Sequence, residues 1–137
     1  MTLNYAAACL FGLEGMVGRE IDELGYKRTE TIDGRVYFEG DESAAARFNI
    51  NSRFAERLYL VLGRFDAPSF DALFEGTKAL CWERYIGRDD AFPVKGHSIK
   101  SALYSIPDFQ KIVKKAVVER LKSRYKLERF PETGNKY

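Results

Sequence analysis

Histidine occurs once and cysteine twice in these 137 residues. With His97 alone, no Ser/His/Asp or Cys/His arrangement has its full set of partners. The same scarcity argues against a metal centre, because no cysteine or carboxylate cluster accompanies His97. Cys9 and Cys81 stand far apart without a partner motif, so a disulfide framework is not expected. Both read as small buried hydrophobes in a reducing cytoplasm. Long apolar runs are also lacking. Tyr5 to Leu13 is apolar but falls short of the roughly 18 residues a membrane span needs, and no Lys or Arg precedes it as in a signal peptide. Gly12, Gly15 and Gly18 form a G-x-x-G-x-x-G string without a G-x-G opening or a following P-loop lysine, which favours helix–sheet packing over nucleotide binding. No catalytic residue and no metal ligand is expected.

What the chain does have is an uneven charge. Residues 1–94 carry 11 Lys and Arg against 16 Asp and Glu, whereas residues 95–137 carry 11 against 4. The net charge of +2 therefore hides a basic C-terminal third on an acidic body. A basic face on a folded domain is the electrostatic footprint of a polyanion binder. An apolar content of 45% and an aromatic content of 14% suit a folded core and argue against disorder.

Hydrophobic periodicity organises the first half. Leu3 to Phe11 reads as a strand, and Leu13, Met16, Val17, Ile21 and Leu24 follow at helical spacing before Gly25. Arg28 to Ile32 and Arg35 to Glu39 read as two strands of a hairpin around Asp33-Gly34, with a type I′ turn. Asp41 is placed to cap a helix over 42–51 with Ala45, Phe48 and Ile50 buried. Arg57 to Phe65 completes the order β-α-β-β-α-β, the ferredoxin-like plait. Ala67-Pro68 then breaks the chain, giving domains 1–66 and 67–137 of an α+β protein.

The second half begins with a helix capped by Ser69, with Phe70, Leu73, Phe74, Thr77 and Leu80 in register, and a further turn from Trp82 to Ile86. Trp82 reads as a packing anchor at the junction of the two domains. Ala91 to Ser98 reads as a strand. Ser105, Pro107 and Asp108 form a capping pattern for a long helix. Phe109, Ile112, Val113, Ala116, Val117 and Leu121 make its apolar stripe.

Two groups of residues could meet a polyanion. At 100° per residue Lys111, Lys115, Lys122 and Lys126 fall on one face of the long helix, flanked by Lys114 and Arg124. Such ammonium groups could track phosphates, and the alternative is an ordinary solvated surface. The second group is Lys95, His97, Ser98, Lys100 and Ser101. Gly96 would let the backbone approach a phosphate, the serines could donate to phosphate or a 2′-hydroxyl, and His97 and Tyr104 could stack on an unpaired base. A polar loop satisfying its own backbone explains the same composition.

Three stretches resemble one family. Tyr5 to Glu14 (YAAACLFGLE), Gly34 to Gly40 (GRVYFEG) and, most specifically, Phe92 to Asp108 with Ile112 to Leu121 are similar to class I THUMP-domain RNA methyltransferases of the 23S rRNA guanine-N2 type. The resemblance implies a ferredoxin-like domain followed by a partial α/β THUMP domain whose C-terminal strands lie beyond Tyr137. It implies that the two hold structured RNA, 23S rRNA in this case, with contacts from Lys95, Lys100, Ser101, Lys114 and Lys115. It further implies a separate catalytic domain using S-adenosylmethionine, since this sequence has no Asn/Asp-Pro-Pro-Tyr motif and no glycine loop for that cofactor. Some relatives of this kind carry the label adenine-N6 DNA methylase, and a protein-interaction module built around Trp82 and Phe92 is the other reading of the basic third.

Overall fold

The computed structural model describes residues 1–96 and 106–136. Two compact units divide the chain, Met1–Leu62 and Gly63–Tyr137. In the first, β1 (Leu3–Cys9), α1 (Glu14–Glu23), β2 (Lys27–Ile32), β3 (Arg35–Gly40), α2 (Ala44–Asn51) and β4 (Ala55–Val61) follow the expected ferredoxin-like order. All neighbours are antiparallel in the sheet β2-β3-β1-β4. Period-2 alternation sends Tyr5, Ala7 and Cys9 of β1 and Val36 and Phe38 of β3 into one core with Val17 and Ile21 of α1 and Phe48 of α2. Phe38 is its centre, with ring centroids of Tyr5 and Phe48 at 5.3 Å and Tyr26 at 5.6 Å. Such aromatic pairs add about 0.5–1.5 kcal/mol each beyond the area they bury.

Local signals hold at several points and fail at others. Gly25, at φ 83°, closes α1 with the Tyr26 N–H donating to the Ile21 carbonyl (3.2 Å), the pairing of a Schellman end. The Asp33-Gly34 hairpin forms, but only Gly34 has positive φ (77°), the sign pattern of a type II turn and not the expected type I′. Contacts from outside the hairpin set it: Glu14 Oε1 accepts the Gly34 N–H (2.8 Å), and the Cys9 N–H donates to the Gly34 carbonyl (2.9 Å). The Gly34 N–H, with the N–H groups of Glu14 and Gly12, holds the Glu14 carboxyl below its usual range. Asp41 does not cap α2. Its carboxylate accepts from the Ser43 hydroxyl (2.6 Å), and the helix starts at Ala44. Ala44 and Phe48 then define the inner face, and Ile50, 200° further round from Phe48, is 81% exposed. Met16 is exposed for the same reason, being off the Val17–Ile21 face.

In the second unit Ser69 Oγ accepts the Ala72 N–H (3.1 Å) and caps α3 (Phe70–Lys78). A 3₁₀ turn at Trp82–Arg84 follows, then α4 (Ile106–Tyr125). Ile86, Phe92, Val117, Leu121 and Phe130 form the core, with Trp82 packed against it. The Trp82 indole N–H donates to the Thr77 carbonyl (2.7 Å), so this residue anchors the second unit. Cys9 is buried as expected, whereas Cys81 is exposed. The expected strand from Ala91 does not form over 92–96. Only Ala91 pairs, in a single parallel bridge to Lys136. Pro93 has no N–H to offer a ladder, and the Phe92 carbonyl is taken by the Lys114 side chain. Among the described residues no helix is long and apolar enough to cross a membrane.

α4 ends in the same way as α1, with the Leu127 N–H on the Lys122 carbonyl (3.0 Å) and Lys126 at φ 55°. Lys126 therefore lies beyond the helix and off the lysine face expected for it. A left-handed lysine costs about 1–2 kcal/mol, more than the roughly 0.5–1 kcal/mol that glycine loses to chain entropy. Lys126→Gly is expected to stabilise the second unit by about 0.5–1 kcal/mol, read as a higher urea midpoint followed by Trp82 fluorescence; a lower midpoint would contradict this end geometry.

Candidate nucleic-acid interface

α4 presents two faces because its apolar residues repeat at helical spacing. Ala116, Val117 and Leu121 are fully buried, and Val113 and Val118 pack at the edge of the core. Lys111 and Lys115 are exposed. With Lys114, Pro93, Val94 and Gln110 they line a shallow groove of about 560 Å³. One wall is α4 and the other is the irregular segment 93–94.

The predicted lysines have different surroundings. Lys114 turns inward: its ammonium donates to Glu132 Oε1 and to the Phe92 carbonyl, and it lies 3.7 Å from the centroid of the Phe92 ring. This contact holds the Glu132 carboxyl below its usual range. Lys122 lies 3.5 Å from Glu119 Oε1 within the helix. Lys95 is exposed. Gly96, expected to admit a phosphate, instead lies against the chain's own aromatic: a Cβ there would stand 2.7 Å from Phe109 Cε1. His97, Ser98, Lys100, Ser101, Tyr104 and the capping residue Ser105 lie outside the described residues.

Lys78 was not singled out from the sequence, and Phe74 was read there only as part of the register of α3. Lys78 Nζ lies 5.9 Å and Lys115 Nζ 6.0 Å from the centroid of Phe74 on α3. Phe74 thus has a lysine from each helix over it, and α3 adds the half-buried Lys78 to the positive charge beside α4. The four-residue spacing of Phe74 and Lys78 was the available signal. Both arginines of α4 meet the same carboxylate of their own unit. Arg120 makes a two-pronged contact with Glu83 (3.0 and 2.8 Å), and Arg124 Nε lies 3.4 Å from it. The Tyr125 hydroxyl donates to the Ile86 carbonyl (2.7 Å). Asp90 accepts the Gly87 N–H (2.6 Å), so this acid closes a turn. Among the described residues no group of His, Cys, Asp and Glu could hold a metal ion.

A four-stranded antiparallel plait followed by a unit that, among the described residues, is helical apart from one isolated bridge, with lysines along its long helix, defines a two-domain class. Comparison with known proteins makes it specific. Residues 4–59 match the RlmL ferredoxin-like domain, and residues 67–129 match the THUMP domain. One segment matching each of these two domain models thus lies in each compact unit of the chain. It is 44% identical over 96% of its length to "Putative RNA methyltransferase YpsC" of Bacillus subtilis (strain 168), of which it covers 34%. It is 35% identical over 89% of its length to "Ribosomal RNA large subunit methyltransferase K/L" of Cellvibrio japonicus (strain Ueda107), of which it covers 16%. Among solved structures, a "predicted N6-adenine-specific DNA methylase" from Listeria monocytogenes str. 4b F2365 superposes with a TM-score of 0.94 at 48% identity, over 100% of this chain and 36% of that one. The chain thus spans about a third or less of the length of these relatives.

Glu83 supplies a pH test of the second unit. The hydrogen bonds from Arg120 hold its carboxyl down to about 2, from an ordinary 4.5. A depressed carboxyl adds stability that is complete above its unfolded value and is lost as pH falls through the folded one. Acid titration followed by Trp82 fluorescence should therefore show the second unit weakening between pH 4.5 and about 2. Arg120→Ala should flatten that dependence; an unchanged acid profile would contradict the pairing.

Proposed function

We propose that this chain is the RNA-docking part of a cytoplasmic, S-adenosylmethionine-dependent rRNA (guanine-N2) methyltransferase, with residues 1–66 as its ferredoxin-like domain and 67–137 as its THUMP domain. The observation that carries this is the pair of exposed lysines, Lys111 and Lys115, along the α4 groove inside the THUMP-matched segment. Lysine contacts to phosphates supply affinity and position without reading sequence. The substrate is structured RNA, 23S rRNA in this reading, recognised by shape and by phosphate and 2′-hydroxyl contacts. Docking through Lys95, Lys111 and Lys115, with Lys78 alongside, would raise the effective concentration of a target base at a tethered catalytic domain. Lys114 holds the groove wall in place, and Lys122 contributes through its position on the same helix. His97, Ser98, Lys100 and Ser101 extend the proposed contact surface along the chain. The methyltransferase names of YpsC and the K/L protein support the chemistry, and the Listeria label makes DNA the competitor to test.

Salt dependence tests this directly. Each phosphate contact contributes about −0.7 to −0.9 to the slope of log K against log salt. Lys111→Gln with Lys115→Gln should make the slope for a stem-loop RNA shallower by roughly 1.4 to 1.8 and weaken all stem-loops alike. An unchanged slope, or equal affinity for duplex DNA of the same length, would overturn the proposal.

A further inference from the structure

The helices of the first unit cover one face of its sheet, and the register defines the other. On β1, Ala6 stands between Tyr37 of β3 and Tyr59 of β4, and Ala8 stands between Arg35 and Arg57. These residues alternate with Tyr5, Ala7, Val36, Phe38 and Leu58, which face the core, so all six share the surface opposite α1 and α2. The Arg35 guanidinium lies 5.6 Å from the Tyr59 ring centroid, reaching across β1 on that face. Tyr59 is 42% exposed, Arg57 is exposed, and Arg35 and Tyr37 are half-buried.

The arrangement is a row of Tyr-Ala-Tyr beside a row of Arg-Ala-Arg. Two strand spacings, about 9.6 Å, separate the two tyrosine backbones. The alanine between them adds little bulk and is itself buried, at 2% exposure. Lys27 stands opposite Glu39, and Glu30 stands opposite Tyr37. The unbalanced positive charge is therefore at the arginine row. Aromatic rings and guanidinium planes on a four-stranded sheet are stacking surfaces for unpaired bases, with neighbouring cations for the backbone. Ile32, opposite Arg35 and 42% exposed, is the large aliphatic side chain bordering the arginine row.

Resting on the RNA-docking role proposed above, we propose that this sheet face binds unpaired nucleotides of the RNA, stacking bases on Tyr59 and Tyr37 with Arg35 and Arg57 on adjacent phosphates. The second unit would then take phosphates of structured RNA while the first takes a single-stranded stretch. Base–aromatic stacking of about 1–3 kcal/mol corresponds to about fivefold or more in affinity.

The test is binding of the chain to a fluorescein-labelled ten-nucleotide adenylate RNA, followed by anisotropy at low salt. Tyr59→Ala is expected to weaken binding at least about fivefold, Tyr59→Phe to stay within about twofold, and Arg35→Gln with Arg57→Gln to weaken it further. Lys111→Gln with Lys115→Gln should leave the decamer bound while weakening a stem-loop, which separates this face from the α4 site. In the unaltered chain the Tyr59 ring resonances should shift on titration with unlabelled decamer, a readout free of folding effects. No decamer binding, no ring shift, or loss of the decamer only in the lysine variant would overturn the sheet-face site. The last of these would leave the α4 proposal standing.

Discussion

The ammonium of Lys114, whose residue lies between the exposed Lys111 and Lys115, is tied to another stretch of the second unit. There it meets the Glu132 carboxylate, the Phe92 carbonyl and the face of the Phe92 ring. Three parts of the chain that share no ladder, α4, the segment at 92–94 and the stretch around 130–132, converge on this one cation. Phe92 and Phe130 pack beneath it with ring centroids 6.1 Å apart. Loss of either charged partner would leave the other half-desolvated and unpaired, which is more damaging than the net worth of the pair. The groove beside Lys111 and Lys115 depends on it, because Pro93 and Val94 have no strand pairing of their own to hold them.

The excess of positive charge in the C-terminal third is real, but part of it is paired with the chain's own carboxylates. Arg120 and Arg124 meet Glu83, Lys114 meets Glu132, and Lys122 lies near Glu119. Of the exposed cations in the described part of this unit, Lys111 and Lys115 stand at the groove and Lys95 on its near segment, while Lys126, Arg129 and Lys136 lie further along the chain. Charge counting alone overstates the contact surface. Pairing geometry reduces it to a few lysines that can be tested individually.

Strong local signals were legible in the sequence. The β-α-β-β-α-β order, Gly25 at the end of α1, the Ser69 cap and the long amphipathic α4 all follow from periodicity and capping chemistry. The misses share one cause, which is a distant partner overriding a local preference. Glu14 and Cys9 fix the Asp33-Gly34 turn from outside the hairpin. Ser43 takes the Asp41 carboxylate that a cap would have used. Lys114 occupies the Phe92 carbonyl where a strand was expected. Lys78 and Phe74 were legible as an i, i+4 pair on α3, but their approach to Lys115 is a tertiary contact that no spacing reveals. The Tyr37 and Tyr59 pair is similar: each alternates correctly within its own strand, and only the register through Ala6 shows that they flank a common site.

The central claim is that α4 divides its lysines between holding the unit together and meeting RNA. Lysine acylation footprinting of the chain, free and with a stem-loop RNA, reads that division residue by residue. Lys111 and Lys115 should react readily in the free chain and become protected by RNA, while Lys114 reacts slowly in both states. A Lys114 as reactive as Lys111 in the free chain, or Lys111 and Lys115 left unprotected with RNA bound, would contradict it.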